Sequence, residues 1–417
     1  MKAHALAPDL HVLHARITGN DLPLFEGIWP LTTGVTLNTY FVKGDKTALI
    51  DLVCDWDGVA VQIEDQLDAR SLSVADLDYL VLNHMEPDHT SWLPYLIEKN
   101  PKIVVLCTER AAKLARAFYG EAITYRIVKT GDTLDLGRGR VLHFIETPNT
   151  HWPETMMTWE ESTGALFSCD VFGGFGLVGD KLFDDQLSPA DLPFVEREAA
   201  RYYSNILGAF SGPILKAMDL LAQHAGPVKM VCPSHGIVWR SNPHFILDLY
   251  RRFAAAMETP TEERITVLWS SMYGNTEAVL PALLEGIASE GVEVLVHQVP
   301  QTHVSEILAS AWTSRGLVLA MPTYEYRMFP PMASVIDMMG RKHVRGREVL
   351  RFGSFGWSGG AAKELEELHD RGKLKWAFVD PVEWNGKATE TVLARVKEAG
   401  ADLARRVKGP RPEVKTA

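Results

Sequence analysis

Cysteine is scarce in this chain: four among 417 residues, at Cys54, Cys107, Cys169 and Cys232, with no C-x-x-C pair. That spacing excludes a thiolate zinc knuckle or a rubredoxin-type iron site, and it suits a reducing, cytoplasmic setting without a disulfide framework. Long apolar runs are missing too. No stretch approaches the ~18 residues of a membrane span, and Met1–Leu10 (MKAHALAPDL) lacks the apolar core of a secretory leader. Nor is there a basic block, since 42 Lys and Arg stand against 53 Asp and Glu, a formal charge of −11. A net acidic chain of this kind is poorly suited to grip nucleic acid or an anionic membrane surface. Internal repeats and low-complexity tracts are absent as well.

What is present is an ordinary globular balance, 46% apolar and 23% charged, in a length that suggests two or three domains. Two blocks of different rhythm meet near residue 260. In the first, Thr39–Val42 and Thr47–Asp51 flank Gly44-Asp45, a hairpin signal. Asp132–Leu136 pairs with Arg140–Ile145, and Thr155–Glu160 with Ala165–Ser168, each across a glycine-bearing turn. Tyr79–Leu82, Ile103–Leu106 and Val228–Cys232 are apolar runs of strand length. Helical patterns cover Trp56–Ala69 and Leu192–Ala222, the latter interrupted at Gly212-Pro213. A mostly hairpin-built sheet with covering helices is expected.

Polar, proline-bearing Glu258–Arg264 reads as a linker. Beyond it, Ile265–Trp269, Glu293–Gln298, Gly316–Ala320, Val349–Gly353 and Leu374–Val379 read as strands, with helices at Glu277–Glu290 and Ala388–Val407. That alternation predicts a doubly wound parallel sheet. The expected division is 1–259, 260–408 and a frayed tail, 409–417.

Histidine is the residue with an unexplained pattern. Tyr79–Leu82 runs into Asn83-His84-Met85-Glu86-Pro87-Asp88-His89, four potential ligands in six residues just past a buried strand. His151 follows Arg140–Ile145, Asp170 closes Ala165–Ser168, and His235 follows Val228–Cys232. A lone histidine such as His143 or His224 is usually a satisfied surface or core residue. Seven candidates at strand ends can gather at one edge of a fold, and that pattern predicts a binuclear metal site. Cys169, beside Asp170, is adequately explained as a small buried residue.

The second block carries three loops at the carboxyl ends of strands, where open α/β sheets bind ligands. Ser271-Met272-Tyr273-Gly274-Asn275-Thr276 opens a helix and offers hydroxyls and free N–H groups to an anion. Pro322-Thr323-Tyr324-Glu325-Tyr326-Arg327 and Ser354-Phe355-Gly356-Trp357-Ser358-Gly359-Gly360 follow the next two strands of the predicted site. Gly174–Gly179 matches G-x-G-x-x-G, but it leads into Asp180–Asp185 without a helical stripe. A glycine-rich loop beside the metal site is the better reading, and direct NAD(P)H binding is not expected.

The set His84-x-Glu86-x-Asp88-His89, His151, Asp170 and His235 resembles the metallo-β-lactamase-like domain of flavodiiron proteins. Zinc hydrolases of that superfamily carry histidine where this chain has Glu86. Three carboxylates and four imidazoles form a harder, more anionic set that suits iron. The resemblance implies His84, Glu86 and His151 on one iron, Asp88, His89 and His235 on the other, and Asp170 bridging. The three later loops resemble the phosphate loop and two isoalloxazine loops of a flavodoxin-like domain that binds FMN. Implied contacts are Ser271, Met272, Tyr273, Gly274, Asn275, Thr276, Pro322, Thr323, Tyr324, Glu325, Ser354, Phe355, Gly356, Trp357 and Gly359. Where many members have small residues or asparagine, this chain has Glu325, Tyr326 and Arg327.

The resemblance therefore implies an α/β protein: an N-terminal αββα sandwich followed by a C-terminal flavodoxin-like sheet. It implies an oxidoreductase that reduces O2 to water, NO to N2O, or both, at two Fe, with electrons relayed through FMN. It also implies a head-to-tail homodimer, or a dimer of dimers, and, without C-x-x-C pairs here, a separate rubredoxin or similar small carrier. Two other classes compete. One is a zinc-dependent hydrolase fused to a flavodoxin-like module, against which Glu86 argues; the other is a flavin electron carrier with an inert N-terminal scaffold.

Overall fold

The computed structural model describes residues 3–18, 24–54, 56, 58–120 and 123–410, and the expected tail beyond residue 410 lies outside them. The chain forms two compact units, Met1–Ala254 and Ala255–Ala417.

The first unit holds two sheets among its described residues. The larger runs in sequence order: β1 (His4–Ala7), β2 (Leu10–Ile17), β3 (Val35–Lys43), β4 (Thr47–Ile50), β5 (Tyr79–Val81), β6 (Val104–Cys107) and β7 (Tyr125–Ile127). Its β1–β4 half is antiparallel, and from β4 to β7 the pairing turns parallel. The smaller sheet has the order β12-β11-β10-β9-β8, from β8 (Thr133–Asp135), β9 (Val141–Glu146), β10 (Met156–Glu160), β11 (Ala165–Cys169) and β12 (Met230–Pro233).

Alternate residues explain how the sheets meet. Leu10, Val12, Tyr40, Val42, Ile50, Val81 and Leu106 of the first join Leu142, Phe144, Met156 and Phe167 of the second in one core. The residues between them, such as Leu49, Leu80 and Val105, are fully buried on the opposite face. Strands covered on both faces read as unbroken apolar runs, which is why their pairing partners are hard to infer locally. The helix Val59–Asp68 packs on β2, Glu109–Tyr119 on β7 and Ser211–His224 on β9, completing an αββα sandwich.

Antiparallel pairs are the majority among the described strands of this unit, as expected, although β4 to β7 and the β11–β12 pair are parallel. One expectation needs correction. The long helical stretch breaks before Gly212-Pro213: helix Leu192–Tyr202 passes through a wide turn, Tyr203–Leu207, and a tight one, Gly208–Phe210. Pro213 then sits in the first turn of Ser211–His224, where a missing N–H leaves no bond unmade.

The second unit contains a parallel sheet of order β14-β13-β15-β18-β19, with β20 also on β18. Its strands are β13 (Glu262–Trp269), β14 (Glu293–Gln298), β15 (Ser314–Ala320), β18 (Glu348–Phe355), β19 (Ala377–Phe378) and β20 (Val382–Asn385), and a small hairpin, β16 (Thr323–Tyr324) and β17 (Arg327–Met328), interrupts them. This is the flavodoxin-like order, with its switch point between β13 and β15. The strand expected at Leu374–Val379 is only the short β19, and a further strand, β20, which no expectation covered, lies beside the next half of β18. Pro381 stands between them and has no N–H to give the ladder.

Candidate metal centre and cofactor cavity

Asp170 lies immediately after β11, buried to 2% exposure, and its two oxygens face different neighbours. Oδ2 lies 2.9 Å from His151 Nε2 and 3.4 Å from His84 Nε2. Oδ1 lies 2.9 Å from His89 Nε2 and 3.3 Å from His235 Nε2. Glu86 Oε2 completes the first group, 3.1 Å from His151 and 3.3 Å from His84. Asp88 Oδ2 completes the second, 3.3 Å from His89 and 3.2 Å from His235. All seven residues singled out in the sequence thus converge as two sets that share Asp170, each set able to offer atoms within 4.8 Å of one another.

Local structure explains the convergence. The loop after β5 turns into the short helix Pro87–Thr90, with Pro87 at its first position, so that Asp88 and His89 enter from helical backbone while His84 and Glu86 precede it. His151 arrives from the β9–β10 connection and His235 from the end of β12. Each is a carboxyl-edge or turn position, so the sheets themselves aim the side chains inward.

A further layer, not visible as sequence spacing, fixes the rings. His84 Nδ1 donates to Glu154 Oε1 at 2.8 Å, and His235 Nδ1 donates to the Thr36 carbonyl at 3.0 Å, leaving each Nε2 inward. Glu154, 2% exposed, also accepts from the Met85 N–H at 3.0 Å. Asp51 accepts from Asn83 N (2.7 Å) and Nδ2 (3.0 Å), and Thr158 donates to Asn83 Oδ1 (2.7 Å), which locks the start of the ligand loop. Outward bonds of this type hold tautomer and orientation in metal sites.

Electrostatics point the same way. Burial alone would lower the imidazoles, yet the carboxylates that face them, Asp170 and Glu86 for His151 and Asp170 and Asp88 for His235, raise His151 to about 9 and His235 to about 10. Burial would raise Glu86, but His151 and His84 bring it down to about 2. The cluster demands positive charge at its centre. Buried Asp88 Oδ1 and Oδ2 and His235 Nε2 have no hydrogen-bond partner, a costly arrangement for polar atoms that a cation would relieve. The donor set therefore fits a pair of metal ions, and its carboxylate-rich character fits iron.

Aromatic rings cover both groups. Trp152 meets His84 edge-on at 5.2 Å, and Phe210, from the tight turn before Ser211–His224, lies 6.0 Å from His151. Phe25 meets His235 at 5.3 Å, and Tyr202 lies 5.8 Å from the same ring with its buried hydroxyl unpaired. Gly174–Gly179 forms the loop beside this group, and no α-helix opens on it before Leu192 among the described residues, only the single tight turn Asp184–Gln186. Gly173 stands 3.0 Å from the Asp170 carbonyl and 3.3 Å from that of His235, measured from the Cβ it lacks.

In the second unit, the loops after β13, β15 and β18 surround a cavity of about 280 Å³. It is lined by Ser271, Met272, Tyr273, Asn275, Thr276, Pro322, Thr323, Tyr324, Glu325, Ser354, Phe355, Gly356 and Trp357, with Gly386 added. Gly274 and Gly359 do not line it; Gly274 instead makes the turn, its N–H donating to Ser271 Oγ (2.9 Å) at φ +85°. Thr276 Oγ1 lies 3.4 Å from Ser354 Oγ, joining the first and third loops. Asn385 Nδ2 reaches the carbonyls of Phe355 and Gly356, so β20 steadies the third loop. Hydroxyls and main-chain N–H groups without a lysine or arginine suit a phosphate, and the flat aromatics at the mouth suit a stacked ring.

Known proteins bear on both sites. The family described as "ODP family beta lactamase" matches residues 35–236. A nitric oxide reductase of Moorella thermoacetica is 33% identical over 381 residues, 90% of this chain and 91% of that one. Among solved structures, rubredoxin oxygen:oxidoreductase of the anaerobe Desulfovibrio gigas superposes with a TM-score of 0.88 at 27% identity, over 98% of this chain and 99% of that one. The flavodiiron protein of Giardia intestinalis gives a TM-score of 0.88 at 27% identity, over 98% and 97%.

Proposed function

The chain belongs to the flavodiiron proteins, and from that premise we propose that it is an oxidoreductase that reduces O2 to water, NO to N2O, or both. The observation that carries this reading is Asp170, whose two oxygens each serve a separate set of donors. We assign the metal-binding domain to 1–259 and the flavin domain to 260–408. His84, Glu86 and His151 would hold one iron, Asp88, His89 and His235 the other, with Asp170 between them. FMN would occupy the cavity between the three loops of the second unit. When bound, two ferrous ions and a reduced flavin together supply the four electrons that O2 takes, or the two that a pair of NO molecules takes.

The chain's own residues have defined tasks. Glu154 and the Thr36 carbonyl hold His84 and His235 in the tautomer that turns Nε2 inward. Phe25, Trp152 and Phe210 pack against the ligand rings and would keep bulk water from them. The Tyr202 hydroxyl, buried and unpaired, is placed to hold a proton near His235. Electrons arrive from a small external carrier, rubredoxin or one like it. A head-to-tail homodimer, or a dimer of dimers, would bring the flavin of one copy to the iron of another. The exposed rim of the cavity, with Tyr273 90% and Trp357 75% exposed, supports such a contact. Four buried free cysteines suit work in the cytoplasm, and no described helix is long and apolar enough to cross a membrane.

The hydrolase reading is weaker because Glu86 stands in the first group and the flavin loops enclose a formed cavity. Metal and flavin content decide first: two irons and one FMN per chain are expected, against two zincs for a hydrolase. Anaerobic single turnovers with NO, set beside O2 consumption under the same donor, then give the preference. Iron-loaded protein that consumes neither gas with photoreduced flavin would refute the proposal.

A further inference from the structure

The hairpin that borders the flavin cavity conflicts with its own backbone. β16 and β17 are joined by two residues, Glu325 and Tyr326, both in the left-handed region at φ 46° and 67°. A two-residue hairpin with both central φ positive is the type I′ turn, in which Asn and Gly are strongly preferred. A glutamate and a tyrosine there are strained, and strain of this kind concentrates at ligand clamps.

Tyr326 makes two contacts that account for it. Its ring meets Trp357 edge-on, 6.2 Å between centroids and 78° between planes. Its carbonyl oxygen lies 1.9 Å from where a Cβ on Gly360 would stand, so the turn is seated on the third loop and only glycine fits beneath it. The opposite arm of the hairpin is tied separately. Met328 N–H donates to Glu364 Oε2 at 2.7 Å, and Arg327 stands 3.7 Å from both Glu364 and Glu367. Trp357, which lines the cavity, has no other ring partner among the described residues. Among the described residues Tyr326 is the one ring that meets the indole at the cavity mouth.

We propose that Tyr326 is a positioning residue for the flavin: presented by the strained Glu325-Tyr326 turn, it holds Trp357 over the cavity mouth and shields the isoalloxazine from solvent. The inference rests on FMN occupying this cavity. A shielded flavin hydrates poorly when it carries charge, so the indole disfavours the anionic hydroquinone relative to the neutral oxidised ring. Glu325 lines the same cavity and adds its own negative charge, but it has no ring to meet the indole.

The test uses holoenzyme: wild type, Tyr326→Phe, Tyr326→Asn and Glu325→Gln. Flavin content is measured first, followed by acrylamide quenching of flavin fluorescence, potentiometric titration and thermal unfolding. Tyr326→Phe should match wild type. Tyr326→Asn should raise the quenching constant about fivefold, the equilibrium worth of one aromatic pair. It should also move the hydroquinone couple positive, with unfolding unchanged or later, since Asn suits the turn. Glu325→Gln should move the couple positive while leaving quenching as in wild type. Equal quenching in wild type and Tyr326→Asn overturns the inference. So does a Tyr326→Phe that behaves like Tyr326→Asn, and so does a Tyr326→Asn that loses only its association between copies. A wild-type chain without FMN removes the proposed function together with this inference.

Discussion

Asp170 has four imidazole nitrogens within 3.4 Å and 2% of its surface exposed, while Trp357, at the flavin cavity, has one ring partner and is 75% exposed. The first unit fixes its site from several directions at once, with buried hydrogen bonds behind the rings. The second offers a mouth whose walls are loops and whose lid is a single exposed indole. The lesson is about where tuning can occur. A site held by many buried contacts tolerates little change in geometry, whereas an open rim can alter its ligand's surroundings through one or two residues, as the Glu325-Tyr326 turn does here.

Breaking the tightly held side should have the largest effect. Asp170→Ala takes a donor from both sets, so bound iron should fall well below two per chain. Gas consumption should drop by more than about a hundredfold, beyond the usual cost of an outer partner alone. Iron analysis beside oxygen-electrode rates checks this. Glu154→Gln keeps the shape but removes the carboxylate behind His84. Iron retention against a chelator should weaken about tenfold, at the lower end for such partners. An unchanged off-rate would show that Glu154 is packing and no more.

Truncation at the open side should cost less. Trp357→Ala should weaken FMN binding about fivefold, a single stacking contact, and leave iron content unchanged. Equilibrium dialysis of FMN reads the first and metal analysis the second; coupled losses would mean that the two sites are not independently built. The smallest effect concerns acid stability of the first unit. Burial, with His4 and Arg16 nearby, lowers His14 from 6.5 to about 4, and burial with Arg70 does the same for His11. Between pH 6.5 and 4 the unfolded chain therefore binds more protons than the folded one, so stability falls as pH falls through that window and levels off below it. His14→Phe should flatten the decline by a few degrees in unfolding midpoint. Midpoints that fall equally in both proteins would assign the decline to other groups.

How much of this was legible in the sequence differs between the two sites for a physical reason. The metal donors each stand at the end of an apolar run, and that local cue suffices to list them. Their supports do not. Glu154 reaches back 70 residues to His84, and Thr36 lies 199 residues from His235, so no spacing marks either. Asp51 could have been suspected, because it too follows a short strand, β4, as the donors do. In the second unit the doubly wound parallel sheet followed from the alternation of strands and helices, but β20, beyond Pro381, was missed. Asn385-Gly386 was a turn signal in plain sight, and it proved to abut the cavity. The first unit's N-terminal β1 and β2 escaped notice because His11 and His14 interrupt an apolar pattern that the fold nonetheless buries.

Asp170 also limits the routes by which this chain could change over time. A terminal donor such as His89 or Glu86 belongs to one set only, so a lineage can lose it and drift toward a single metal while the other set stays whole. Asp170 allows no such halfway form. Losing the side-chain oxygens there takes a donor from both sets in one step, so simplification is open from either flank and closed from the middle.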